Sequence, residues 1–390
     1  MTLVDPLDSQ TAIYSNTAIV TDSSDGVHIG YRIFDSSSPD LLFNLKYASN
    51  IGSVWNISLV DGAGYVHTHL PVSIALNSSE GVYIGYSTME DGNWSIRLAE
   101  GGPPSWNITE VSSGEPLATM PIGTMCLDSQ GYAHFCLGIK VGYTTMLGYA
   151  TNRGGSWSTE IIDGTNDTYY ACITVDSADY AHILFTNAPK WSLHYATNAG
   201  SAWTTQLVDA SGRYGAAAFD SLGTLYVVYT VEDCLKLAWL SGGLWSNYTV
   251  DSGSIGLMSS MWPSIAIDSE NDIHLCYSVG TLESASLMYA HRSGSDWTKT
   301  VIEQFDSSLI PDLGCSSITT DSQGYVHIAY VRGLHSGHDS GGGLKYATNA
   351  ASAIPEMNAA MVAPCLLAVT GLVLLLRWRS VGNQDPSKRP

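Results

Sequence analysis

A pattern of short apolar and alternating stretches, separated by polar turns, runs through most of the chain. Residues 173–210 show the unit most clearly, with four such runs: 173–175, 180–185, 192–197 and 203–208. The runs are rich in β-branched and aromatic residues and are bounded by Gly, Asn, Asp and Ser. This pattern is typical of strands joined by hairpin turns. The unit therefore predicts four short antiparallel strands.

The unit recurs seven times along the chain. An acidic or amide residue opens the turn between the first two strands of each copy: Asp22, Asn77, Asp128, Asp176, Asp220, Asp268 and Asp321. These positions are on average about 50 residues apart, and four strands in a repeat of that length are typical of a β-propeller. The sequence predicts an all-β fold, a seven-bladed β-propeller of four-stranded blades.

The last copy lacks a fourth strand, and the N-terminal residues supply one. No tryptophan-led fourth strand follows its third strand, whereas residues 2–5 (TLVD) match the QLVD that ends the fourth strand of the unit above. The spacing from Asp5 to Asp22 is 17 residues, as it is from Asp251 to Asp268. We therefore expect the N-terminal strand to complete the seventh blade and close the ring, because an open ring would leave unpaired edges.

After the repeats, the chain changes from alternating strand-like sequence to a linker, an apolar run and a basic tail. The propeller is predicted for residues 1–353, followed by a linker at 354–358, an apolar run at 359–376 and a basic tail at 377–390. A helix over the apolar run would be about 27 Å long, enough to span a bilayer. The bases that follow favour a cytoplasmic tail and a propeller outside the plasma membrane. The N-terminal residues lack the features of a signal peptide, so three explanations stay open: a start further upstream, a fragment of a longer protein, or a tail-anchored protein that faces the cytoplasm.

Composition bears on partners and location. The formal net charge is −20, which repels phosphate backbones and argues against nucleic acid. Six N-x-S/T sequons favour an external glycoprotein: Asn56, Asn77, Asn93, Asn107, Asn166 and Asn247. The seven cysteines form no C-x-x-C pair, which argues against a zinc cluster or a disulfide framework. Cys126 and Cys136 flank one predicted turn, and their pairing stays open.

Two groups of motifs carry a resemblance to known proteins. The repeats D-S-x-G-x-x-H-I-x-Y and L-K-Y-A-T-N resemble those of archaeal and bacterial cell-surface β-propellers, over about residues 1–353. That resemblance implies the fold and no particular activity. The C-terminal segment resembles an archaeal PEF-type sorting signal, in which Pro355 and Glu356 match and Met357 stands where phenylalanine is usual. It implies removal of the tail by an archaeosortase-like enzyme and attachment of the propeller to envelope lipid.

Residues that recur from blade to blade are interpreted as structural. The second strand carries a histidine in five copies and tyrosine in two: His28, His134, His182, His274, His327, Tyr83 and Tyr226. A position that accepts either residue fills space and makes a hydrogen bond. The repeated tryptophans predict packing, and the repeated aspartates cap their own turns. The turns at 22–26 and 268–272 are acidic enough to bind calcium weakly; we expect no other cofactor.

Functional residues are expected where the repeats differ. The loops between second and third strands and between blades vary in length and share one face, the variable-loop face. The candidate ligand-binding residues there are His67, His69, Tyr169, Tyr170, Trp191, Arg213, Tyr214, Trp262, His335, His338 and Asp339. Exposed aromatic rings stack on sugar rings, and the His and Asp side chains could ligate a divalent metal. The H-x-H and H-x-x-H-D spacings do not make a zinc motif alone.

Three functions stay open. The first is a membrane-anchored cell-surface binding or adhesion module, a monomer that recognises glycan or protein. The second is a sialidase-like glycoside hydrolase, since those enzymes also use propellers. That chemistry needs clustered arginines, whereas the arginines of this propeller stand at unlike repeat positions, and its Asp turns join the first two strands rather than the last two. We rank binding above catalysis and predict no catalytic residue. A purely structural envelope protein is the third.

Overall fold

The computed structural model confirms an all-β propeller of seven blades. It describes residues 1–350 except 7–10, 13–16, 36–41, 53, 63–70, 91–92, 115–123, 163, 166, 189, 201, 253–261, 281–283, 307–315 and 333–342. The described residues form strands and turns and contain no helix, and hence none that is long and apolar enough to cross a membrane. The predicted linker, sorting motif (Pro355, Glu356, Met357), membrane helix and basic tail lie outside the described residues.

Each blade is an antiparallel sheet whose strands follow one another from the centre outward. Blade 1 contains β3 (Ala18–Thr21), β4 (Val27–Asp35), β5 (Leu42–Ser49) and β6 (Asn56–Asp61), with β2 (Thr11–Ala12) also paired to β4. Blade 2 contains β7 (Ser73–Leu76), β8 (Val82–Glu90), β9 (Asn93–Gly102) and β10 (Ser105–Gly114). Blade 3 contains β11 (Thr124–Leu127), β12 (Ala133–Val141), β13 (Thr144–Thr151) and β14 (Ser158–Ile161).

The remaining blades follow the same plan. Blade 4 contains β15 (Thr168–Val175), β16 (Ala181–Asn187), β17 (Ser192–Thr197) and β18 (Thr204–Asp209). Blade 5 contains β19 (Arg213–Phe219), β20 (Leu225–Val231), β21 (Cys234–Ser241) and β22 (Leu244–Ser252). Blade 6 contains β23 (Ser264–Ile267), β24 (Ile273–Gly280), β25 (Ser284–Ser293) and β26 (Asp296–Asp306). Blade 7 contains β27 (Ser317–Thr320), β28 (Val326–Arg332), β29 (Gly343–Thr348) and, from the N-terminus, β1 (Thr2–Pro6).

The N-terminal strand closes the ring, as predicted. It pairs antiparallel with β29, so that the seventh sheet has the order β1-β29-β28-β27. Asp5 at the end of β1 accepts hydrogen bonds from the Tyr31 hydroxyl at 2.7 Å and from Lys46 Nζ at 2.8 Å, both in blade 1. The strand therefore completes one blade and ties that blade to the next.

The hydrophobic core lies between the blades, in one cluster at each of the seven interfaces. The repeated tryptophans contribute to it, as predicted. Four of them meet a tyrosine of the preceding blade edge-on, with ring centroids 5.1–5.4 Å apart: Trp55–Tyr346, Trp106–Tyr47, Trp203–Tyr149 and Trp245–Tyr195. Edge-to-face contact of this kind is a favoured aromatic geometry.

Acidic side chains on the outermost strands link neighbouring blades. Asp209 of blade 4 accepts hydrogen bonds from the Tyr229 hydroxyl and from Lys236 Nζ of blade 5, both at 3.1 Å. The same bond between an acid and the tyrosine of the next blade occurs in the pairs Asp5–Tyr31, Asp61–Tyr86, Asp251–Tyr277 and Glu303–Tyr330. These contacts are charge-assisted and mostly shielded from solvent, which makes them stronger than exposed ion pairs.

The repeated histidines belong to a hydrogen-bonded chain, which supports the structural interpretation. In blade 3, Asp128 accepts hydrogen bonds from the backbone N–H groups of Gln130 and Tyr132 at 3.0 and 2.8 Å. Its other carboxylate oxygen lies 3.1 Å from His134 Nε2, and His134 Nδ1 lies 2.5 Å from the Tyr149 hydroxyl. Four other blades repeat this chain: Asp22–His28–Tyr47, Asp176–His182–Tyr195, Asp268–His274–Tyr289 and Asp321–His327–Tyr346.

Hydroxyl groups on the innermost strands satisfy backbone groups of the next blade, which the sequence did not predict. A backbone N–H donates to a serine or threonine oxygen at 2.9–3.2 Å at four interfaces: Ile19 to Ser317, Met125 to Ser73, Ile173 to Thr124 and Ile318 to Ser264. The innermost strand is one edge of each sheet, and its outward backbone groups need partners. The hydroxyls supply them.

The open question of a disulfide is answered for the described cysteines. Cys126 and Cys136 are both free. Cys136 is fully buried, and its Sγ lies 2.9 Å from Thr124 Oγ1. Burial raises the pKa of the Cys136 thiol to about 11, so it behaves as a small core residue.

Removing the closing strand should open the ring. Deletion of residues 1–6 removes the partner of β29, the buried side chain of Val4 and the carboxylate of Asp5. We expect a loss of about 3 kcal/mol or more in the free energy of unfolding, measured by chemical denaturation. Lys46→Met, which removes one contact of Asp5, is the control and should cost about 1.5 kcal/mol, as expected for one hydrogen bond to a charged group. A deletion no more harmful than the control would contradict closure by β1.

Acid should weaken the propeller through its buried histidines. Burial lowers the pKa of His134, His182 and His274 below the ordinary 6.5, and outweighs the opposing hydrogen bonds from their aspartates. The unfolded chain therefore binds more protons than the folded one in this pH range. The free energy of unfolding keeps the full contribution of these histidines above about pH 6.5, their pKa in the unfolded chain. It loses that contribution as the pH falls through their lower pKa in the folded protein. The free energy of unfolding, measured with urea, should be lower at about pH 5 than at about pH 7.

A matched variant isolates the effect. His182→Tyr places in blade 4 the residue that blades 2 and 5 carry at this position, Tyr83 and Tyr226, and tyrosine does not titrate in this range. The variant should lose less stability than the wild type between the two pH values. Equal stability of the wild type at both pH values would refute the expectation.

Candidate functional site

Six of the candidate residues meet at one place on the variable-loop face. We call them the aromatic cluster: Tyr169, Tyr170, Trp191, Arg213, Tyr214 and Trp262. Tyr170 is its centre, with ring centroids 4.6 Å from Tyr169, 4.6 Å from Tyr214 and 4.8 Å from Trp262. All six residues are partly exposed. Three neighbouring blades, 4, 5 and 6, therefore contribute to one aromatic surface.

Trp191 and Arg213 extend the aromatic cluster to one side. The Trp191 ring lies 5.4 Å from that of Tyr169, and the Arg213 guanidinium carbon lies 5.1 Å from the centre of the Trp191 ring. The second distance is within the range of a cation–π contact. The backbone of Arg213 is held by strand pairing with Thr230, whose hydroxyl donates to the Arg213 carbonyl at 3.1 Å.

Two β-bulges bring the aromatic rings to this position. The innermost strands β15 and β19 have eight and seven residues, whereas those of the other five blades have four. The added length carries a register shift between Thr168 and Tyr170 in β15, and another between Arg213 and Ala216 in β19. A bulge bends its strand and re-aims the side chain at the extra position. Tyr169 and Tyr214 lie within these two shifts.

Two members of the aromatic cluster have a strained backbone. Trp191 has φ 53° and Tyr214 has φ 56°, in the left-handed region that bulky residues rarely adopt. Such a conformation costs about 1–3 kcal/mol and is concentrated at functional sites. Four other non-glycine residues with positive φ stand at the turn position that glycine fills in other blades: Asp25, Glu80, Asp179 and Asn271. Those four are ordinary turn residues. Trp191 also lies in a turn, between β16 and β17, whereas Tyr214 lies inside β19.

A cavity of about 140 Å³ opens beside the aromatic cluster at the propeller axis, lined by residues of all seven blades. Tyr170, Tyr214 and Trp262 form one part of its wall, and Thr17, Thr124 and Ser317 contribute hydroxyls elsewhere. The Thr186 hydroxyl, which belongs to a lining residue only 1% exposed, has no hydrogen-bond partner in the part of the chain that the structure describes. Ordinary small-molecule pockets measure about 300–1,000 Å³, so a ligand would insert one group and rest on the rings.

The tyrosines of the aromatic cluster are neutral hydrogen-bonding groups. Burial raises the pKa of Tyr170, and the neighbouring Tyr214 and Tyr169 hydroxyls raise it further. Burial also raises the pKa of Tyr214, although the Tyr170 hydroxyl and Arg213 act in the opposite direction. A tyrosine nucleophile would need the reverse, a lowered pKa.

The arginines do not converge among the described residues. Arg32 is buried and donates to the Ser87 carbonyl at 2.6 Å, Arg97 pairs with Asp61 at 3.4 Å, and Arg153 lies on the face of the Asp turns. Arg292 donates to the carbonyl of Gly294. Arg213 alone of these side chains reaches the aromatic cluster.

The other candidates lie outside the described residues: His67, His69, His335, His338 and Asp339. Their part in a metal site stays a prediction. Within the residues the structure does describe, no group of three or more His, Cys, Asp or Glu side chains could hold a metal ion. Weak calcium binding by the acidic turns at 22–26 and 268–272 stays a prediction, because calcium also takes carbonyl oxygens as ligands. Sequence reasoning missed Thr186, because nothing in the alternation of its strand indicates an unpaired hydroxyl beside a cavity.

The sequons fall into different environments. Three of their asparagines are exposed on outermost strands: Asn56 in β6, Asn107 in β10 and Asn247 in β22. Asn77 instead takes the place of the turn aspartate, and its Oδ1 accepts hydrogen bonds from the backbone N–H groups of Ser79 and Gly81 at 3.0 and 2.9 Å. Asn93 begins β9, and Asn166 lies outside the described residues.

Comparison with known proteins supports the fold. No family model matches the chain, and no curated protein matches it. The structure of AofleA from Arthrobotrys oligospora matches with a TM-score of 0.54 and 14% identity, over 77% of this chain and 90% of its own. An ulvan lyase, a PL25 polysaccharide lyase bound to -[GlcA(1-4)Rha3S]-, matches with a TM-score of 0.55 and 10% identity, over 88% and 94%. A protein of unknown function from Dyadobacter fermentans matches with a TM-score of 0.53 and 9% identity, over 72% and 93%.

The structure predicts which sequons accept a glycan. Secreted from a glycosylating eukaryotic host, the chain should carry glycan at Asn107 or Asn247 and none at Asn77, because the Asn77 amide is held inside its turn by Gly81 and by the Tyr83 hydroxyl at 3.3 Å. Peptide mass spectrometry reads the occupancy. The control Asn77→Asp restores the residue of the other blades and should leave the glycan mass unchanged. Glycan at Asn77 would contradict the prediction.

Proposed function

We propose that this propeller binds carbohydrate and that the aromatic cluster, with the adjoining cavity, is the binding site. The observation that carries the proposal is the convergence of the cluster: aromatic side chains from three blades meet at the axis, two of them in strained backbone conformations. Packing alone does not require this arrangement, because each interface between blades already has its own core.

Carbohydrate fits the shape and chemistry of the site. Partly exposed tyrosine and tryptophan rings offer flat apolar surfaces with a polar edge, which suits the apolar faces and hydroxyls of a sugar ring. The Thr186 hydroxyl, which has no hydrogen-bond partner among the residues described, offers one to a group that enters the cavity. The ulvan lyase has a saccharide bound to it, but the likeness to this chain lies in the fold alone.

A binding role fits better than the two alternatives. For a sialidase-like hydrolase, the described arginines are dispersed, and burial raises the pKa of the cluster's central tyrosine, Tyr170. A purely structural envelope protein gives no reason for strain at Trp191 and Tyr214. A protein ligand on the same surface is the second candidate, since Tyr, Trp and Arg are also frequent anchors of protein interfaces.

We further propose that the propeller is displayed outside the cell and anchored through residues 359–376. Three sequons with exposed asparagines on outermost strands, at Asn56, Asn107 and Asn247, favour an external location. The apolar run followed by Arg377 and Arg379 favours an anchor with its tail in the cytoplasm.

Glycan-array binding by the full chain in detergent tests the function. The wild type should bind a defined set of saccharides, and Trp262→Ala and Tyr170→Ala should each weaken binding about tenfold or more, because truncating a central aromatic anchor removes most of its contact. Tyr180→Ala is the control, since Tyr180 is an exposed tyrosine of blade 4 on the opposite face.

The outcomes separate the candidates. Binding that is lost in both cluster variants and kept in Tyr180→Ala supports the proposal. Binding that survives both cluster variants refutes the site. No binding to any saccharide refutes the carbohydrate function and moves the protein ligand to first place.

A further inference from the structure

We propose that the saccharide recognised at the aromatic cluster is acidic, and that Arg213 binds its carboxylate or sulfate group. This inference rests on the proposed function and adds the chemical class of the ligand. It comes from the place of Arg213 in the aromatic cluster, where it has no acidic partner among the described residues.

Most cations elsewhere in the propeller have an acidic partner. Six pairs show this: Lys46–Asp5, Arg97–Asp61, Arg153–Asp179, Lys236–Asp209, Lys299–Asp251 and Lys345–Glu303. Arg213 contacts the Trp191 ring and the Tyr214 hydroxyl and, among the residues whose placement is described, no carboxylate. Arg32 and Arg292 also lie over tyrosine rings and have no ion pair among the described residues. Arg32 is buried, however, and Arg292 donates to the Gly294 carbonyl away from the aromatic cluster. Arg213 is therefore distinguished by its place in the proposed binding site of a chain whose net charge is −20.

The geometry leaves Arg213 able to bind an anion. A cation–π contact uses the guanidinium without using its N–H groups, and guanidinium carries five N–H donors in a fixed fork that matches a carboxylate or a sulfate. The residue is partly exposed, and its backbone is fixed by Thr230. An anion that reaches this side of the cluster meets an oriented donor at little entropic cost.

Electrostatics make this contact selective. The acidic surface repels anionic ligands in general, so an acidic saccharide gains affinity only where a cation faces it. A neutral saccharide can use the rings but leaves the Arg213 charge unmatched. Discrimination between the two should therefore come from one side chain.

Matched saccharide pairs test the inference on the full chain. The probes are oligosaccharides of polygalacturonate, alginate and chondroitin sulfate, each beside its carboxyl-reduced or desulfated counterpart, with affinities measured by titration calorimetry. At least one charged member should bind about tenfold or more tightly than its neutral counterpart, as expected for hydrogen bonds to a charged group. Arg213→Gln should remove that difference, so that the ratio of the two affinities falls to about one.

Two further variants keep the test decisive. Arg213→Lys keeps the charge and loses the fork, so it should show an intermediate preference even if Arg213→Gln fails to fold. Arg153→Gln removes a cation that is 48% exposed on the opposite face and should change nothing. The melting temperature of each variant checks that it folds.

Each outcome has one meaning. Equal affinity for the charged and neutral members, with binding lost in Trp262→Ala, overturns the acidic ligand and leaves the carbohydrate site standing. A preference for the charged member that survives in folded Arg213→Gln overturns the role of Arg213. No binding of any probe or array saccharide refutes the carbohydrate function and this inference with it.

Discussion

Contact between neighbouring blades is the interaction on which this structure depends. Each blade is a thin sheet with two apolar faces, and one core cluster at each of the seven interfaces buries them. Because no blade can bury its faces alone, the ring has to close, and β1 closes it against β29. The polar contacts follow the same logic: acids at the outer strands meet tyrosines of the next blade, and hydroxyls at the inner strands meet its backbone. Stability is therefore distributed around the ring.

Because the contacts between blades stabilise the ring, residues at the propeller axis are available for binding. On the face of the Asp turns, the turn carboxylate, a histidine and a tyrosine bond to one another in five of the seven blades. On the opposite face, blades 4 and 5 depart from the pattern through longer inner strands and two bulges. There the chain keeps a strained Trp191 and Tyr214 and, among the described residues, a cation without an acidic partner and a hydroxyl without a hydrogen-bond partner. Features that cost stability without serving the ring are what a binding site is expected to show.

The sequence predicted the ring well because its evidence is repeated. Seven copies of one pattern fix the blade, and the match of residues 2–5 to a fourth strand is enough to place β1. Six cluster residues could be named because they depart from the repeat, and the structure brings all six together. The bulges, the left-handed backbone of Tyr214 and the hydroxyls at the inner edge could not be predicted. Each depends on register between strands, which single residues do not encode.

A crystal structure of the propeller with its tightest-binding saccharide tests the central claim most directly. A sugar ring in contact with Trp262 and Tyr170, with one group directed into the cavity, is the expected result. A saccharide bound on the Asp-turn face or on the outer strands, with the aromatic cluster free, would contradict the proposed site.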